Sequence, residues 1–261
     1  MWDLFISIFT SVLLWIYDIV GHNFGIAIIL FTILIRVVTW PLNAQQMKGA
    51  AAMQSLQSDK DWQEIQKKYA KDKEKLAQEQ MRFYREKGIN PFGSCLPTLI
   101  QFPIIIALYQ SITRALAVTP LGLLQLSRSG SAFSFLDITS LIPLNSKFLW
   151  MDLGRPESVA IFGFALPTLA VIVALTTYIQ SKLTLPASTT PGDQSAAMGN
   201  MMSIYMPLLL GYFALTFPSG LAVYFITSNV LGIVQYAMQG KANWRNLLPG
   251  GNKQVVAKAK K

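Results

Sequence analysis

Five predominantly apolar stretches, at about residues 24–42, 95–116, 158–180, 200–217 and 219–238, constrain this chain more than anything else in it. A bilayer hydrocarbon core takes roughly 20 such residues to cross as a helix. Lipid offers no partner to backbone N–H and C=O groups, so each crossing segment satisfies its own as helix. The last two stretches are separated by FPSG, residues 217–220, where Pro218 and Gly220 predict a tight turn and antiparallel neighbours. Only 13% of the residues are charged, where a soluble domain carries about a quarter. The expectation is an all-α polytopic membrane protein with five transmembrane helices.

The same sequence excludes several functions. Its one cysteine, Cys95, leaves no internal disulfide and no all-cysteine metal site, and its one histidine, His22, leaves no histidine cluster. There is no GxxxxGK, GxGxxG or GxSxG motif, so neither a nucleotide motor nor a serine nucleophile is indicated. No enzyme activity, metal or cofactor is expected. The N-terminal MWDLFISIFTSVLLWIYDIV lacks the basic start and small-residue cleavage site of a secretory signal. Asp3, Ser7, Thr10, Ser11 and Asp18 fall near helical spacing on one side of it. That predicts an amphipathic helix lying in the interface, with a sixth membrane span as the alternative.

Lys and Arg counts set the orientation. Residues 43–93, 181–199 and 239–261 together hold 17, against four (Arg114, Arg128, Lys147 and Arg155) in the 117–157 region and its edge. The N-terminus is expected outside and the C-terminus in the cytoplasm. The resulting map is an interfacial helix at 1–22, spans at 23–42, 94–116, 158–180, 200–217 and 219–238, and an extracytoplasmic loop at 117–157. On the cytoplasmic side lie a helical hairpin at 43–93, a loop at 181–199 and a basic tail at 239–261. In the hairpin, Trp62, Ile65 and Tyr69 form one helical stripe, and Ala77, Met81 and Tyr84 another beside Leu76 and Phe83. Asp72 is positioned to cap the second helix, and Gly88 and Pro91 to end it. The tail NKQVVAKAKK carries four lysines and no acid. It suits anionic lipid or ribosomal RNA, or a plain cytoplasmic anchor.

Polar residues inside the spans carry the functional signal. Thr32, Arg36 and Thr39 share one face of the first span, and Gln101 lies in the second. Thr176, Thr177 and Gln180 gather at one end of the third, and Tyr224, Ser228, Asn229 and Gln235 lie along the fifth. On the deduced orientation most of these fall in the cytoplasmic half or at the midplane, which predicts a water-holding cavity open to the cytoplasm. An arginine at that depth costs about 2.5–3.5 kcal/mol on insertion scales. Arg36 either snorkels to the headgroups or serves as a functional cation. The five stretches contain no Asp or Glu. That favours the functional cation and weighs against a transporter coupled through intramembrane carboxylates.

These residues resemble the YidC/Oxa/Alb membrane protein insertases. The matching stretches are TILIRVVTWPL followed by QQM, YREKGINPFGSCLPTLIQFPIIIALY, FLWMDL, YIQSK and MSIYMPLLLGYFALTFPSGLAVYFITSNVLGIVQ. The resemblance runs from about residue 2 to 240. It implies a five-span core with an interfacial helix and a cytoplasmic hairpin. It also implies a hydrophilic groove, open to cytoplasm and lipid, that receives nascent membrane proteins. The family's groove arginine falls on Arg36 and its threonine on Thr32. Its second-span glutamine falls on Gln101, and its fifth-span polar positions on Tyr224, Ser228 and Asn229. The chain departs from some members in lacking a large periplasmic domain and an N-terminal lipoprotein cysteine, and in having a longer loop at about 117–147.

The function expected is an insertase working without ATP in the bacterial cytoplasmic membrane. An acidic substrate tail enters the groove and is drawn to Arg36, and its apolar segment then passes along the third and fifth spans into lipid. Gln180 completes the expected groove set. Expected partners are nascent membrane proteins, the bilayer and the Sec translocon, with the ribosome reached through hairpin and tail, and no small-molecule substrate. A solute transporter or channel is the rival from another class, and a passive chaperone for Sec-inserted proteins the nearer one.

Overall fold

The computed structural model of the chain describes residues 2–45, 48–49, 59–69, 72–88, 96–116, 141, 144–157, 159–161, 164–184 and 194–240. Most of the expected 117–147 loop and of the basic tail lies outside the described residues, as do Pro91 and Cys95. The chain divides into two units. One comprises residues 1–38, 101–177 and 207–232, the other residues 39–100, 178–206 and 233–261. The described residues are mostly helical, with two small antiparallel β-ladders among them.

The first unit is built around α1 (Trp2–Ile19) and α2 (Phe24–Val38). They meet at a sharp elbow where Gly21 and His22 take positive φ values of 73° and 64°. Asn23 then starts α2 by accepting the Ile26 N–H at 3.1 Å, a cap that satisfies one orphan donor. Ile6, Leu13, Leu14 and Tyr17 of α1 join Phe24, Ala27, Ile28 and Phe31 of α2 in one core. Leu108 and Ile112 of α5 (Leu96–Ala115) enter the same core, as do Leu169 and Val173 of α6 (Thr168–Thr184). Ala214 of α7 (Gln194–Thr216) and Leu221 to Phe225 of α8 (Ser219–Met238) complete it. The opposite face of α2 leaves Ile26, Leu30, Ile33, Leu34 and Val37 exposed. A helix apolar on both faces suits a lipid surround rather than water.

The N-terminal helix differs from the expectation in one respect. Thr10 and Ser11 are fully buried, and Thr10 donates to the Ser111 hydroxyl of α5 at 3.0 Å, while Leu4, Ile8, Trp15 and Ile19 are exposed. Small hydroxyl side chains pack at close helix contacts, so they mark a protein-facing side here rather than a solvent side. By length and composition alone, α1 and α8 are long and apolar enough to cross a membrane, whereas Phe24–Val38, Thr168–Leu183 and Ser203–Thr216 are shorter apolar helices.

A second departure concerns the apolar run expected to begin the third span at residue 158. Val159–Ile161 (β3) and Phe164–Leu166 (β4) pair antiparallel, and helix begins only at Thr168. Apolarity does not separate strand from helix in a short run, and Pro167 holds the residue before it in extended backbone. At the other end, α6 continues to Thr184 and α7 begins at Gln194, so part of the expected 181–199 loop is helical.

Lys147–Phe148 (β1) and Met151–Asp152 (β2) form a two-stranded ladder joined by Leu149 and Trp150. This hairpin closes on the start of α8. The Ser219 N–H donates to the Arg155 carbonyl at 2.8 Å and the Gly220 N–H to the Leu153 carbonyl at 3.0 Å, filling helix-terminal donors that have no intrahelical partner. Glu157 holds α6 in the same way, accepting from the Thr168 hydroxyl, the Leu169 N–H at 2.5 Å and the Trp150 indole N–H at 2.8 Å.

In the second unit, α3 (Lys60–Lys68) and α4 (Lys73–Glu86) pack through Trp62, Leu76, Phe83 and Tyr84, with Ile65 and Tyr69 alongside. Ala77 and Met81 of the expected second stripe are exposed instead. Asp72 caps α4 through the Lys75 N–H at 3.1 Å, and Asp59 caps α3 through the Asp61 N–H at 3.1 Å. Gly88 ends α4 at φ 67°, a conformation glycine adopts without strain.

Candidate polar site

Helix α8 gathers the polar residues of the first unit. Its side chains Tyr224 and Ser228 share one face at an offset of four residues, and Asn229 follows Ser228 about 100° further round the helix. All three are buried. Each meets a different helix.

Ser228 meets Arg36, in the last turn of α2. The Arg36 Nη2 donates to the Ser228 carbonyl oxygen at 2.6 Å and to its Oγ at 2.8 Å, and Nε reaches the same Oγ at 3.2 Å. A planar guanidinium has its donors in a fixed fork, which suits two oxygens of one residue. Tyr224 meets Gln101 near the start of α5, the glutamine Nε2 donating to the phenol oxygen. The tyrosine hydroxyl also lies within electrostatic reach of Arg36. Asn229 meets α6, its Nδ2 donating to Thr177 Oγ1 at 2.8 Å and Thr176 Oγ1 at 3.1 Å. Thr176 passes its own proton to the Ile172 carbonyl at 2.8 Å. Three interhelical links therefore radiate from one turn and a half of α8.

Of the residues singled out in the sequence, the structure brings Arg36, Gln101, Tyr224, Ser228 and Asn229 into one network. Thr32 is fully buried one turn before Arg36, and its hydroxyl donates to the Ile28 carbonyl of its own helix at 2.6 Å. Gln180 is half-buried on α6 and belongs to the second unit, as does the buried Gln235. Arg36 and Gln101 are half-buried, so the network reaches the surface through its charged and amide ends. The partners of Arg36 above are neutral oxygens, and none of the five apolar stretches carries an acid. Among the described residues no group of three or more His, Cys, Asp or Glu side chains is placed to hold a metal. The arrangement is chemically a fixed cation backed by neutral hydrogen-bonding groups. It can attract and orient an anionic or polar segment.

Sequence reasoning passed over Glu157 and the Thr10–Ser111 contact. Glu157 stands eleven residues before the helix position it binds, a spacing with no periodic signature. Thr10 and Ser111 are 101 residues apart, and hydroxyl residues in apolar helices are the general cue that would have raised them.

Comparison with known proteins gives a consistent result. The family profile described as 60Kd inner membrane protein matches residues 15–244. Membrane protein insertase YidC 2 of Listeria innocua is 35% identical over 228 residues, covering 86% of this chain and 66% of the relative. Membrane protein insertase MisCA of Bacillus subtilis is 30% identical over 262 residues, covering 97% of this chain and 86% of the relative. Inner membrane protein ALBINO3 of Arabidopsis thaliana chloroplasts is 33% identical over 218 residues, covering 83% and 46%. The chain thus spans just under two thirds of the first relatives it matches. A crystal structure described as active YidC insertase with the first transmembrane domain resolved superposes with a TM-score of 0.53 at 28% identity, covering 89% of this chain and 45% of that one.

Proposed function

Because the chain belongs to the 60Kd inner membrane protein family, that of the YidC, Oxa and Alb insertases, we propose that it inserts nascent membrane proteins into the bilayer. The observation that carries this reading is the Arg36–Ser228 link within the α8 network, a cation held at the last turn of an apolar helix among neutral oxygens. A short acidic substrate tail or hairpin is attracted to Arg36, and Thr32, Gln101, Tyr224, Ser228 and Asn229 of the same unit form a hydrophilic groove around it. The substrate's apolar segment then leaves along α6 and α8 into lipid, gaining apolar burial without a nucleotide.

The membrane arrangement belongs to the same proposal. The helices containing 24–38, 96–115, 168–184, 194–216 and 219–238 cross the inner membrane, with α1 at the outer interface and the hairpin α3–α4 in the cytoplasm. The fully buried Thr10–Ser111 contact and the 3.6 Å ion pair of Asp3 with Arg114 support α1 being seated on the bundle at the Ala115 end of α5. Charge asymmetry supports the orientation. The hairpin and basic tail contact the translocon or ribosome.

Reconstitution tests the function. The purified protein alone, in liposomes, should protect the translocated tail of a Sec-independent substrate from added protease. Arg36→Ala should lower that protection, most for substrates with acidic tails. Insertion that is unchanged for every substrate would remove Arg36 from the mechanism. No insertion without the Sec translocon would make the protein a chaperone instead.

A further inference from the structure

The β1–β2 hairpin has an odd tip. Phe148 pairs with Met151, which leaves Leu149 and Trp150 as a two-residue turn. Leu149 takes φ 54°, whereas Trp150 is not among the positive-φ residues. A two-residue turn with only its first position at positive φ takes glycine there, because a Cβ is strained in that region. Here a leucine holds the position with 74% of its surface exposed, beside a tryptophan exposed by 56%. Neither gains burial in the fold to offset the strain.

The rest of the hairpin is held rigidly. The Phe148 ring fills the space over Gly25, at the start of α2. The carbonyls of Leu153 and Arg155 hold the first turn of α8. The Trp150 indole N–H is fixed on Glu157, which also caps α6. The tip therefore stands at a set height, level with the ends of three apolar helices. Lys147 and Arg155 flank it, and Trp2 and Trp15 of α1, in the same unit, are also exposed.

We propose that Leu149 and Trp150 form a membrane anchor that enters the headgroup and upper acyl region of the bilayer at this end of the bundle. The occupant is lipid rather than a protein partner because the tip is continuous with helices whose outward faces are apolar. A tryptophan with its N–H satisfied and its ring exposed also suits the bilayer interface, and the flanking cations suit lipid phosphates. The strained turn puts an apolar side chain at the point of the hairpin, where it reaches furthest. This inference rests on the chain being an integral membrane protein, and not on insertase activity or on which face is cytoplasmic.

The test uses the full chain with Cys95→Ser, carrying a nitroxide on Leu149→Cys, in liposomes of phosphatidylethanolamine and phosphatidylglycerol. Power saturation compares collisions with oxygen, which concentrates in lipid, and with a water-soluble nickel chelate. A label at 149 should favour oxygen severalfold over nickel, whereas labels on the exposed Lys147→Cys and Asp152→Cys should favour nickel. Equal nickel access at all three would overturn the anchor. Shielding of position 149 from both probes would also overturn it, pointing to protein contact. Quenching by bromine-labelled acyl chains gives a second reading with the native leucine in place. Trp150→Phe should remove a quenchable part of the fluorescence, and an unchanged quenched fraction would count against the proposal.

Discussion

The Arg36 guanidinium donates to the backbone carbonyl of Ser228 at 2.6 Å, across 192 residues of sequence, and to the hydroxyl of the same residue at 2.8 Å. One of these acceptors survives any substitution at 228, and the other does not. Ser228→Ala should therefore weaken, not abolish, the seating of Arg36, lowering insertion of an acidic-tailed substrate about fivefold, as expected for roughly 1 kcal/mol of net hydrogen bonding. Arg36→Ala removes the charge and should cost about tenfold to a hundredfold. Arg36→Lys keeps the charge but not the fork, and should fall between them. Initial rates of protease-protected tail in proteoliposomes rank the three. A lysine variant as poor as alanine would assign the effect to guanidinium geometry rather than charge.

Asn229 ties α8 to α6 through Thr176 and Thr177. Interhelical hydrogen bonds in membrane proteins average about 0.6 kcal/mol and reach about 1.7. The combined variant Asn229→Leu, Thr176→Val, Thr177→Val should therefore be less destabilised than the sum of its parts, by about 1–2 kcal/mol. Denaturant unfolding in mixed micelles measures this coupling. Strict additivity would mean that the two helices are held by packing alone.

How much of this was legible in the sequence depends on the length scale of each signal. Helix periodicity and apolar length are local, so α2, α5 and α8 were readable, as were the Asp72 cap and the Trp62–Phe83 packing of α3 on α4. Polar residues in apolar stretches are rare enough to be informative singly, which is why Arg36, Gln101, Tyr224, Ser228 and Asn229 could be named before their contacts were known. Which of them pair was not readable, because pairing depends on helix rotation. Gln180 shared the same signal, yet falls in the other unit. The strands at 159–161 and 164–166 are not separable from helix in the sequence, because a short apolar run satisfies both patterns. Thr10 and Ser11 carry a similar ambiguity: small hydroxyl side chains fit a polar stripe and also pack at close helix contacts, as Thr10 does on Ser111.

Gly25 has no room for a side chain. A Cβ built there would stand 2.2 Å from the Phe148 ring, so the ring or the helix would have to move. Gly25→Ala should destabilise the protein by about 1–3 kcal/mol, the usual range for overpacking. The loss should shrink to a small fraction in a Phe148→Ala background, where the ring is gone. Thermal unfolding of the two single variants and the double variant decides the point. An equal loss in both backgrounds would place the strain elsewhere.

Asp59 and Lys87 join the two ends of the α3–α4 pair at 3.0 Å. The hydrogen bond from Lys87, followed by that from the Asp61 N–H, holds the Asp59 carboxyl below its ordinary value. Stability from this group is therefore present above the usual aspartate value of about 3.9 and lost as pH falls through the lower, folded one. The bond to Asp59 likewise raises Lys87, whose contribution is present below the usual lysine value of about 10.4 and lost as pH rises past the folded one. Asp72 is lowered first by the Lys75 N–H and so adds to the acid-side loss. Hydrogen exchange of the α3 and α4 amides, corrected for intrinsic rates, should show even protection through neutral pH and loosening below about pH 4. Asp59→Asn should remove most of that acid dependence in α3 while leaving α4 dependent on Asp72. An acid response in α3 unchanged by Asp59→Asn would assign it to another carboxylate.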